Sequence, residues 1–352
     1  MKTIYLVAGA RPNFMKIAPI VRALKAHGGL NFKIIHTGQH YDREMNDVFF
    51  EELCQASRPD AVLVVGDVNS TLACSIVAKK LNIPVAHVEA GLRSGDMSMP
   101  EEINRLVTDS ITDWFFVTEP AALAHLKHEG KPDSAVHYVG HVMVDNVLYQ
   151  AKKLESTDTS GFETSAFKIA NTGAVLGRNN GKDNRYGVVT LHRPSNVDDA
   201  QMLAKIGGAL KEIAQDLPLI FPVHPRTRGN LEKFGIDLGP RITLVGPQAY
   251  MAFLNLWKDA AVVLTDSGGL QEETTALGVP CITIRENTER PVTVDEGSNV
   301  LAGTDPARIV AEVRKVLRGE GKKGRRPYLW DGAAAERIVA VLAKELESGQ
   351  RM

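Results

Sequence analysis

The chain of 352 residues carries 41 basic and 42 acidic side chains, and its net charge of −1 provides no positive surface for nucleic acid. A hydrophobic fraction of 44% and a charged fraction of 24% are typical of a globular protein, so the length predicts two domains with large cores. No apolar segment reaches the roughly 18 residues that a transmembrane helix needs, and we expect no membrane partner.

Short β-branched segments alternate with helical patterns through the first half of the chain. The first segment, residues 3–8, is too short for an export signal and predicts a buried strand, and the apolar residues after it recur at helical spacing. Further strands are predicted at residues 32–36, 61–65, 85–88, 114–118 and 135–139. Strands that are separated by helix-length stretches predict right-handed crossovers and a parallel sheet.

The alternation stops between residues 156 and 185, where Gly, Asn, Ser and Thr are frequent and a linker is predicted. It resumes with strands predicted at residues 187–191, 219–223, 242–245, 261–265 and 281–284. We therefore predict an α/β protein with two Rossmann-like, doubly wound domains that face a cleft. The predicted domains are residues 1–165 and 166–332, and the helix within 333–352 is expected to pack back on the first domain.

Charged side chains follow the predicted strands of the first domain, at the sheet edge where ligands bind in open α/β folds. Arg11 and Lys16 come after the first strand near a helix N-terminus, which suits an anion as well as it suits a solvated turn. Acidic groups follow the third and fourth strands, with Arg93 among them: Asp67, Glu89, Glu101 and Glu102. Converging carboxylates fit proton transfer, and the alternatives are an ion-pair network or, for Asp67, a helix N-cap.

Two histidines and a glycine-rich loop mark the second domain. His192 comes directly before Arg193, and His224 comes two residues before Arg226, at the ends of neighbouring strands, which favours phosphate contact over a purely structural role. The segment TDSGGLQEE, residues 265–273, joins a buried strand to a helix, and its glycines allow backbone N–H groups to approach a phosphate. Glu272 or Glu273 can then bind ribose hydroxyls, while a simple N-cap is the alternative for Ser267.

No metal or dinucleotide cofactor is predicted. Cys54, Cys74 and Cys281 lack the spacing of a zinc site or of a disulfide framework, which also favours a cytoplasmic location. The segment GEGKKG, residues 319–324, follows a helical pattern instead of a strand and so lacks the context of a dinucleotide-binding loop.

Eight segments occur in the order found in non-hydrolysing UDP-N-acetylglucosamine 2-epimerases: GARPNFMK, GDVNST, HVEAGLRS, PEEINR, HRP, TDSGGLQEE, TERP and PYLWDG. The chain resembles this family from Met1 to Ile338. The resemblance implies a glycosyltransferase-B type fold, a UDP-sugar in the cleft, a homodimer and no added cofactor. It also implies reversible epimerisation at C2 of UDP-N-acetylglucosamine, through elimination of UDP to 2-acetamidoglucal and re-addition.

The same resemblance implies roles for individual residues. The catalytic residues would be Asp67, Glu89, Glu101 and His192. The residues that bind UDP or substrate would be Arg11, Lys16, Arg93, His224, Phe253, Ser267, Gly268, Gly269, Glu273 and Arg290.

The chain departs from the family pattern in three places. Leu53 and Arg58 are almost adjacent where the family has a much longer segment, although a direct helix-to-strand connection of this length is feasible. Ser195 replaces the glutamate that often follows the HRP segment. Residues 39–42 lack the pattern linked to allosteric substrate binding, so we expect no activation of this kind.

Four alternatives to this activity stay open. The chain could act on a related UDP-2-acetamido sugar, hydrolyse its substrate to free N-acetylmannosamine, transfer a sugar to an acceptor, or bind UDP-sugars without catalysis. The intact HVEAGLRS and PEEINR segments argue against hydrolysis, and a fold alone does not decide function.

Overall fold

The computed structural model describes residues 1–9, 11–37, 43–172 and 185–348, without the side chains of residues 11–12, 43–49 and 169–172. The chain divides into two compact units, one formed by Met1–Asn146 with Tyr328–Met352 and the other by Val147–Pro327. Within the described ranges, each unit contains one six-stranded parallel sheet. The prediction of two Rossmann-like, doubly wound α/β domains is confirmed.

The sheet of the first unit has the strand order β2-β1-β3-β4-β5-β6. Its strands are β1 Lys2–Ala8, β2 Leu30–His36, β3 Ala61–Val65, β4 Val85–Val88, β5 Trp114–Val117 and β6 Val136–Tyr138. The helices that connect and follow them are α1 Arg11–His27, α2 Arg43–Ala56, α3 Asn69–Lys80, α4 Pro100–Ile111, α5 Pro120–His128 and α6 Val142–Leu154. All six predicted strands are present, and α2 leads to β3 through the four residues 57–60, so the short connection is accommodated.

The sheet of the second unit has the strand order β12-β11-β10-β7-β8-β9, which is the arrangement of dinucleotide-binding folds. Its strands are β7 Gly187–Thr190, β8 Leu219–Pro222, β9 Ile242–Val245, β10 Val262–Thr265, β11 Cys281–Thr283 and β12 Asn299–Leu301. Its helices are α7 Ser165–Thr172, α8 Pro194–Val197, α9 Ala200–Asp216, α10 Pro225–Lys233, α11 Tyr250–Trp257, α12 Gly268–Leu277, α13 Pro291–Asp295 and α14 Pro306–Leu317.

Two elements of the second unit were not predicted. The edge strand β12 has three residues, too few to produce a recognisable apolar pattern. Helix α7 lies inside the stretch predicted as a linker, and the prediction was wrong there because tertiary contacts stabilise the helix. The ring of Phe167 packs edge-on against Tyr186, and Lys168 Nζ donates a 2.7 Å hydrogen bond to the backbone oxygen of Asn255.

The last helix, α15 Ala334–Ser348, completes the core of the first unit. Its buried residues Ile338 and Leu342 belong to the same apolar cluster as Ile17 and Ile20 of α1. The carboxylate of Asp145 accepts hydrogen bonds from the first N–H groups of the helix, at 3.1 Å from Ala334 and 2.7 Å from Ala335. These otherwise unsatisfied donors explain why α15 begins where it does. The opposite face of the sheet is covered by α2 and α3.

Candidate functional site

In the first unit, the strand order reverses between β1 and β3, and a crevice is expected at the carboxyl ends of these strands. Lys16 on α1 and Asp67 after β3 lie at this point, and Glu89 follows the neighbouring strand β4. Lys16 Nζ lies 2.8 Å from Glu89 Oε2. It also lies 2.7 Å from where a Cβ would stand on Gly66, the residue before Asp67. The structure therefore brings these three predicted residues to one edge.

Helix α4 holds Asp67 in place. Arg105 Nη1 lies 2.5 Å from Asp67 Oδ2, and Asn104 Nδ2 donates a 2.8 Å hydrogen bond to the backbone oxygen of Asp67. The N-cap of α3 is Val68, without a side-chain hydrogen bond. The N-cap alternative for Asp67 is thus wrong, and its carboxylate pairs with a buried guanidinium instead. Sequence reasoning had assigned no role to Asn104 or Arg105 of the PEEINR segment.

The adjacent residues Glu101 and Glu102 occupy opposite environments on the first turn of α4. Glu102 is buried and accepts 2.9 Å hydrogen bonds from the backbone N–H groups of Ser94 and Gly95. Burial alone would raise its pKa, but these bonds and Arg105 lower the pKa to about 2. Glu101 is exposed at the helix N-terminus. Of the two carboxylates, Glu101 is therefore the one available to a ligand.

The backbone of Glu89 is in the left-handed region, with φ of 72°. A residue with a side chain pays about 1–3 kcal/mol for such a conformation, which persists only where surrounding contacts enforce it. The backbone N–H of Glu89 donates to Phe116 O at 3.0 Å, and its carboxylate pairs with Lys16. In this conformation, the buried carboxylate of Glu89 lies at the edge of the first sheet where the catalytic residues are predicted.

Other predicted residues of the first unit have different outcomes. Arg93 is nearly buried, and its guanidinium pairs with Asp109 at 2.8 Å and with Glu129 at 2.7 Å. It thus belongs to an internal ion-pair cluster of this unit. The side chain of Arg11 and residues 39–42 lie outside the described residues.

In the second unit, the strand order reverses between β7 and β10, and His192 and Asp266 follow these two strands. Asp266 is fully buried and lies 3.0 Å from His192 Nδ1. It also accepts backbone hydrogen bonds from His192 and, at 2.9 Å, from Arg193. Burial would raise the pKa of Asp266, but His192 and these N–H groups lower it. The carboxylate orients the imidazole, whose side chain is 47% exposed.

The glycine-rich loop leads into α12 without a side-chain cap. Ser267 occupies the N-cap position, but its hydroxyl makes no capping hydrogen bond, so the simple N-cap alternative is wrong. A Cβ on Gly269 would meet no atom within 4 Å, whereas one on Gly268 would lie 2.7 Å from Glu289 Oε1. A helix N-terminus without a side-chain cap, as here, is suited to an anion.

Glu273, the carboxylate predicted to bind a ribose, lies on α12 and contacts Tyr250 of α11. Tyr250 Oη donates a 3.0 Å hydrogen bond to Glu273 Oε1. Burial raises the pKa of Glu273 to about 7; the Tyr250 hydrogen bond opposes this rise, and Glu272 adds to it. Phe253 is half-buried three residues after Tyr250, on the same side of α11. No sequence motif marks Tyr250, so it was missed.

The structure also separates Glu272 from Glu273. Glu272 pairs with Arg290 at 2.5 Å between Oε1 and Nε, and it therefore holds the loop before α13. His224 is exposed at the start of α10, where its Nδ1 accepts the backbone N–H of Arg226 at 3.3 Å. The structure thus gives His224 a capping role.

Among the residues that the structure describes, no three or more His, Cys, Asp or Glu side chains are grouped to hold a metal ion. Within those same residues, no helix is both long and apolar enough to cross a bilayer.

The family model for UDP-N-acetylglucosamine 2-epimerases matches residues 50–343. The chain belongs to the UDP-N-acetylglucosamine 2-epimerase family. Among members of this family, the UDP-N-acetylglucosamine 2-epimerase of Methanocaldococcus jannaschii is 37% identical, over 96% of this chain and 98% of the relative. A Pseudomonas aeruginosa relative, UDP-2,3-diacetamido-2,3-dideoxy-D-glucuronate 2-epimerase, is 35% identical over 97% of this chain and 99% of its own.

A solved structure of this epimerase family shares the fold closely. The M. jannaschii UDP-GlcNAc 2-epimerase in complex with UDP-GlcNAc and UDP matches 98% of this chain and all of its own, with 36% identity and a TM-score of 0.81. Family membership therefore agrees with the resemblance that the eight sequence segments indicate.

Proposed function

We propose that the chain interconverts UDP-N-acetylglucosamine and UDP-N-acetylmannosamine without releasing free sugar. The proposal depends mainly on one observation: in each unit, a set of functional groups lies at the point where the strand order reverses. In the first unit the set is Lys16 with the carboxylates Asp67 and Glu89, which fits proton transfer. In the second it is His192 with the uncapped start of α12, which fits a diphosphate.

The chemistry explains why one enzyme needs both sets of groups. No carbonyl lies next to C2 of the sugar, so its hydrogen is hardly acidic. In the proposed reaction, a carboxylate removes the C2 proton while the C1–O bond breaks, which yields 2-acetamidoglucal and UDP. A carboxyl group then returns a proton to the opposite face of C2, and UDP re-adds at C1. Asp67, Glu89 and Glu101 are the proposed proton carriers.

Stabilising the departing UDP is the proposed task of the second unit. His192 and the backbone N–H groups after Ser267 would hold the diphosphate, with Gly268 and Gly269 allowing its close approach. Glu273 would bind the ribose, and Phe253, next to Tyr250, would contact the base. We extend the binding set to Arg11, Arg93, His224 and Arg290 on the resemblance alone. We also propose a cytoplasmic homodimer that needs no added cofactor.

Turnover in heavy water tests the proposed function. The protein is incubated with UDP-N-acetylglucosamine and followed by NMR. The expected product is UDP-N-acetylmannosamine, with deuterium entering C2 of both epimers as equilibrium is approached. Free N-acetylmannosamine would indicate hydrolysis, and complete retention of protium in the product would contradict elimination. If neither epimer nor free sugar forms and no deuterium enters C2, the chain would be a UDP-sugar-binding protein without catalysis on this substrate.

A second candidate substrate follows from the Pseudomonas aeruginosa relative. Its identity to this chain, 35%, is close to the 37% of the M. jannaschii enzyme, so overall similarity does not separate the two sugars. The same assay with the diacetamido-glucuronate nucleotide compares the two substrates. If kcat/KM is higher for that nucleotide, it replaces UDP-N-acetylglucosamine as the proposed substrate.

The start of α12 provides a test of diphosphate binding. In the variant Gly269→Val, the added side chain enters space that no residue occupies within 4 Å, so it should block a phosphate without displacing a neighbour and weaken UDP binding about tenfold or more, the value of one lost hydrogen bond to a charged group. The control is Gly208→Val on α9, where a Cβ would also meet no atom within 4 Å. Calorimetric affinities within twofold of each other for the two variants would remove Gly269 from the site.

Glu273 predicts a pH dependence of substrate affinity. Because its pKa is about 7, the carboxyl is largely protonated below that pH and must lose its proton before it accepts ribose hydroxyls. We expect UDP-N-acetylglucosamine to bind about tenfold more weakly at pH 6 than at pH 8. In Tyr250→Phe, loss of the hydrogen bond that lowers this pKa should move the dependence to higher pH. Equal calorimetric affinity at both pH values would contradict the role of Glu273.

A further inference from the structure

A fully buried pair, His87 and Asp109, lies behind the carboxylates of the first unit. His87 is on β4, two residues before Glu89, and Asp109 is on α4. His87 Nδ1 lies 2.7 Å from Asp109 Oδ1, and His87 Nε2 lies 2.9 Å from the backbone oxygen of Gly66. Asp109 Oδ2 accepts the backbone N–H of Gly91 at 2.9 Å.

Hydrogen bonds hold both members of this pair in place. Burial would raise the pKa of Asp109, but His87, Arg93 and the Gly91 N–H lower it. Each ring nitrogen of His87 faces an oxygen, that of the Asp109 carboxylate on one side and that of the Gly66 carbonyl on the other. The imidazole is therefore fixed between α4 and the residue that follows β3.

The pair connects the backbone segments that carry two of the three proposed proton carriers, Asp67 and Glu89. Its histidine binds the carbonyl of Gly66, immediately before Asp67, and its aspartate binds the N–H of Gly91, two residues after Glu89. All three residues Gly66, Glu89 and Gly91 have positive φ, of 67°, 72° and 78°. Only the glutamate is strained by this conformation, so an anchor beside it has a specific effect on its carboxylate.

We infer that His87 and Asp109 are positioning residues, which hold Glu89 in its left-handed conformation and fix its carboxylate relative to that of Asp67. The inference depends on the proposed function, because that function makes these two carboxylates proton carriers. The charged groups that face the pair are Arg93, at 2.8 Å from Asp109, and beyond it Glu129. His87 connects the pair to the backbone just before Asp67, whose carboxylate Arg105 of α4 also holds.

The test compares Asp109→Asn with Asp113→Asn, because the two aspartates bond to the backbone at opposite ends of β4. Asp113 accepts the backbone N–H of Val85 at 2.8 Å and pairs with Lys79 at 2.7 Å, so it anchors the amino end of the same strand. In Asp109→Asn, kcat should fall about 100-fold with little change in KM, because a shift of about 1 Å in a reacting group has that effect. Asp113→Asn should lower the melting temperature and keep kcat within about threefold of the wild type.

Structural measurements separate this inference from the proposed function. The crystal structure of Asp109→Asn should show Glu89 outside the left-handed region and His87 moved away from the backbone oxygen of Gly66. Glu89 unchanged in that structure would overturn the inference even if the wild type epimerises its substrate. A wild type inactive on UDP-sugars would overturn the proposed function, and the structural results would still decide the inference. If Asp109→Asn does not fold, His87→Gln replaces it, since glutamine has both of its donors on one nitrogen and cannot bridge the two partners as the two ring nitrogens do.

Discussion

Replacing Glu101 with glutamine is expected to reduce kcat by about 10²- to 10⁴-fold, the usual contribution of a proton-transferring side chain. The side chain is exposed on the first turn of α4, so glutamine preserves its shape and leaves folding intact. Without this proton carrier, the return of a proton to C2 should become slow relative to dissociation of the intermediate. The variant should therefore release UDP together with 2-acetamidoglucal, which NMR detects directly.

Glu52→Gln, an equally exposed substitution on α2, serves as the control and should keep full turnover. The melting temperatures of both variants should match the wild type, because neither residue is buried. Wild-type kcat in Glu101→Gln, with no glycal formed, would exclude this carboxylate from the reaction.

The second large effect is expected for Asp266→Asn. A carboxylate at Nδ1 favours the ring orientation in which Nε2 of His192 can donate a hydrogen bond to a departing diphosphate. The neutral amide removes this preference, so we expect kcat to fall about 10²- to 10³-fold, as when one stabilising donor is lost. Steady-state kinetics with UDP-N-acetylglucosamine measure this effect.

Asp198→Asn is the matched control for this variant. Asp198 pairs with Arg226 on the surface of the same unit, and such an exposed pair contributes only about 0–1 kcal/mol to stability. Its kcat should equal that of the wild type. If Asp266→Asn retains kcat within about threefold, His192 does not act through its buried carboxylate.

The positions of the site residues follow from the sequence more readily than their partners do. Apolar periodicity defines β3 and β10, and it therefore places Asp67 and Ser267 at strand ends. The pairing of Asp67 with Arg105 joins residues 38 positions apart and depends on how α4 packs against α3 and β4. Tyr250 and Glu273 are 23 positions apart and meet only in the folded second unit. Local patterns contain no information on such contacts.

The same limit explains the errors in secondary structure. Helix α7 begins in a polar stretch whose composition favours a linker, and its stability comes from Asn255 and Tyr186, distant in sequence. Strand β12 forms its hydrogen bonds with β11, and three residues paired in this way are enough to form an edge strand.

The packing of α15 against α1 has a consequence for synthesis on the ribosome. The apolar face of α1, with Ile17 and Leu24, leaves the exit tunnel early, whereas the residues that cover it are near position 340. The complete sequence of the second unit is translated in between, and domains generally fold as they emerge. The second unit can therefore reach its native state first, while the nascent first unit still exposes the apolar face of α1. During this interval the apolar face of α1 is prone to aggregation until α15 covers it.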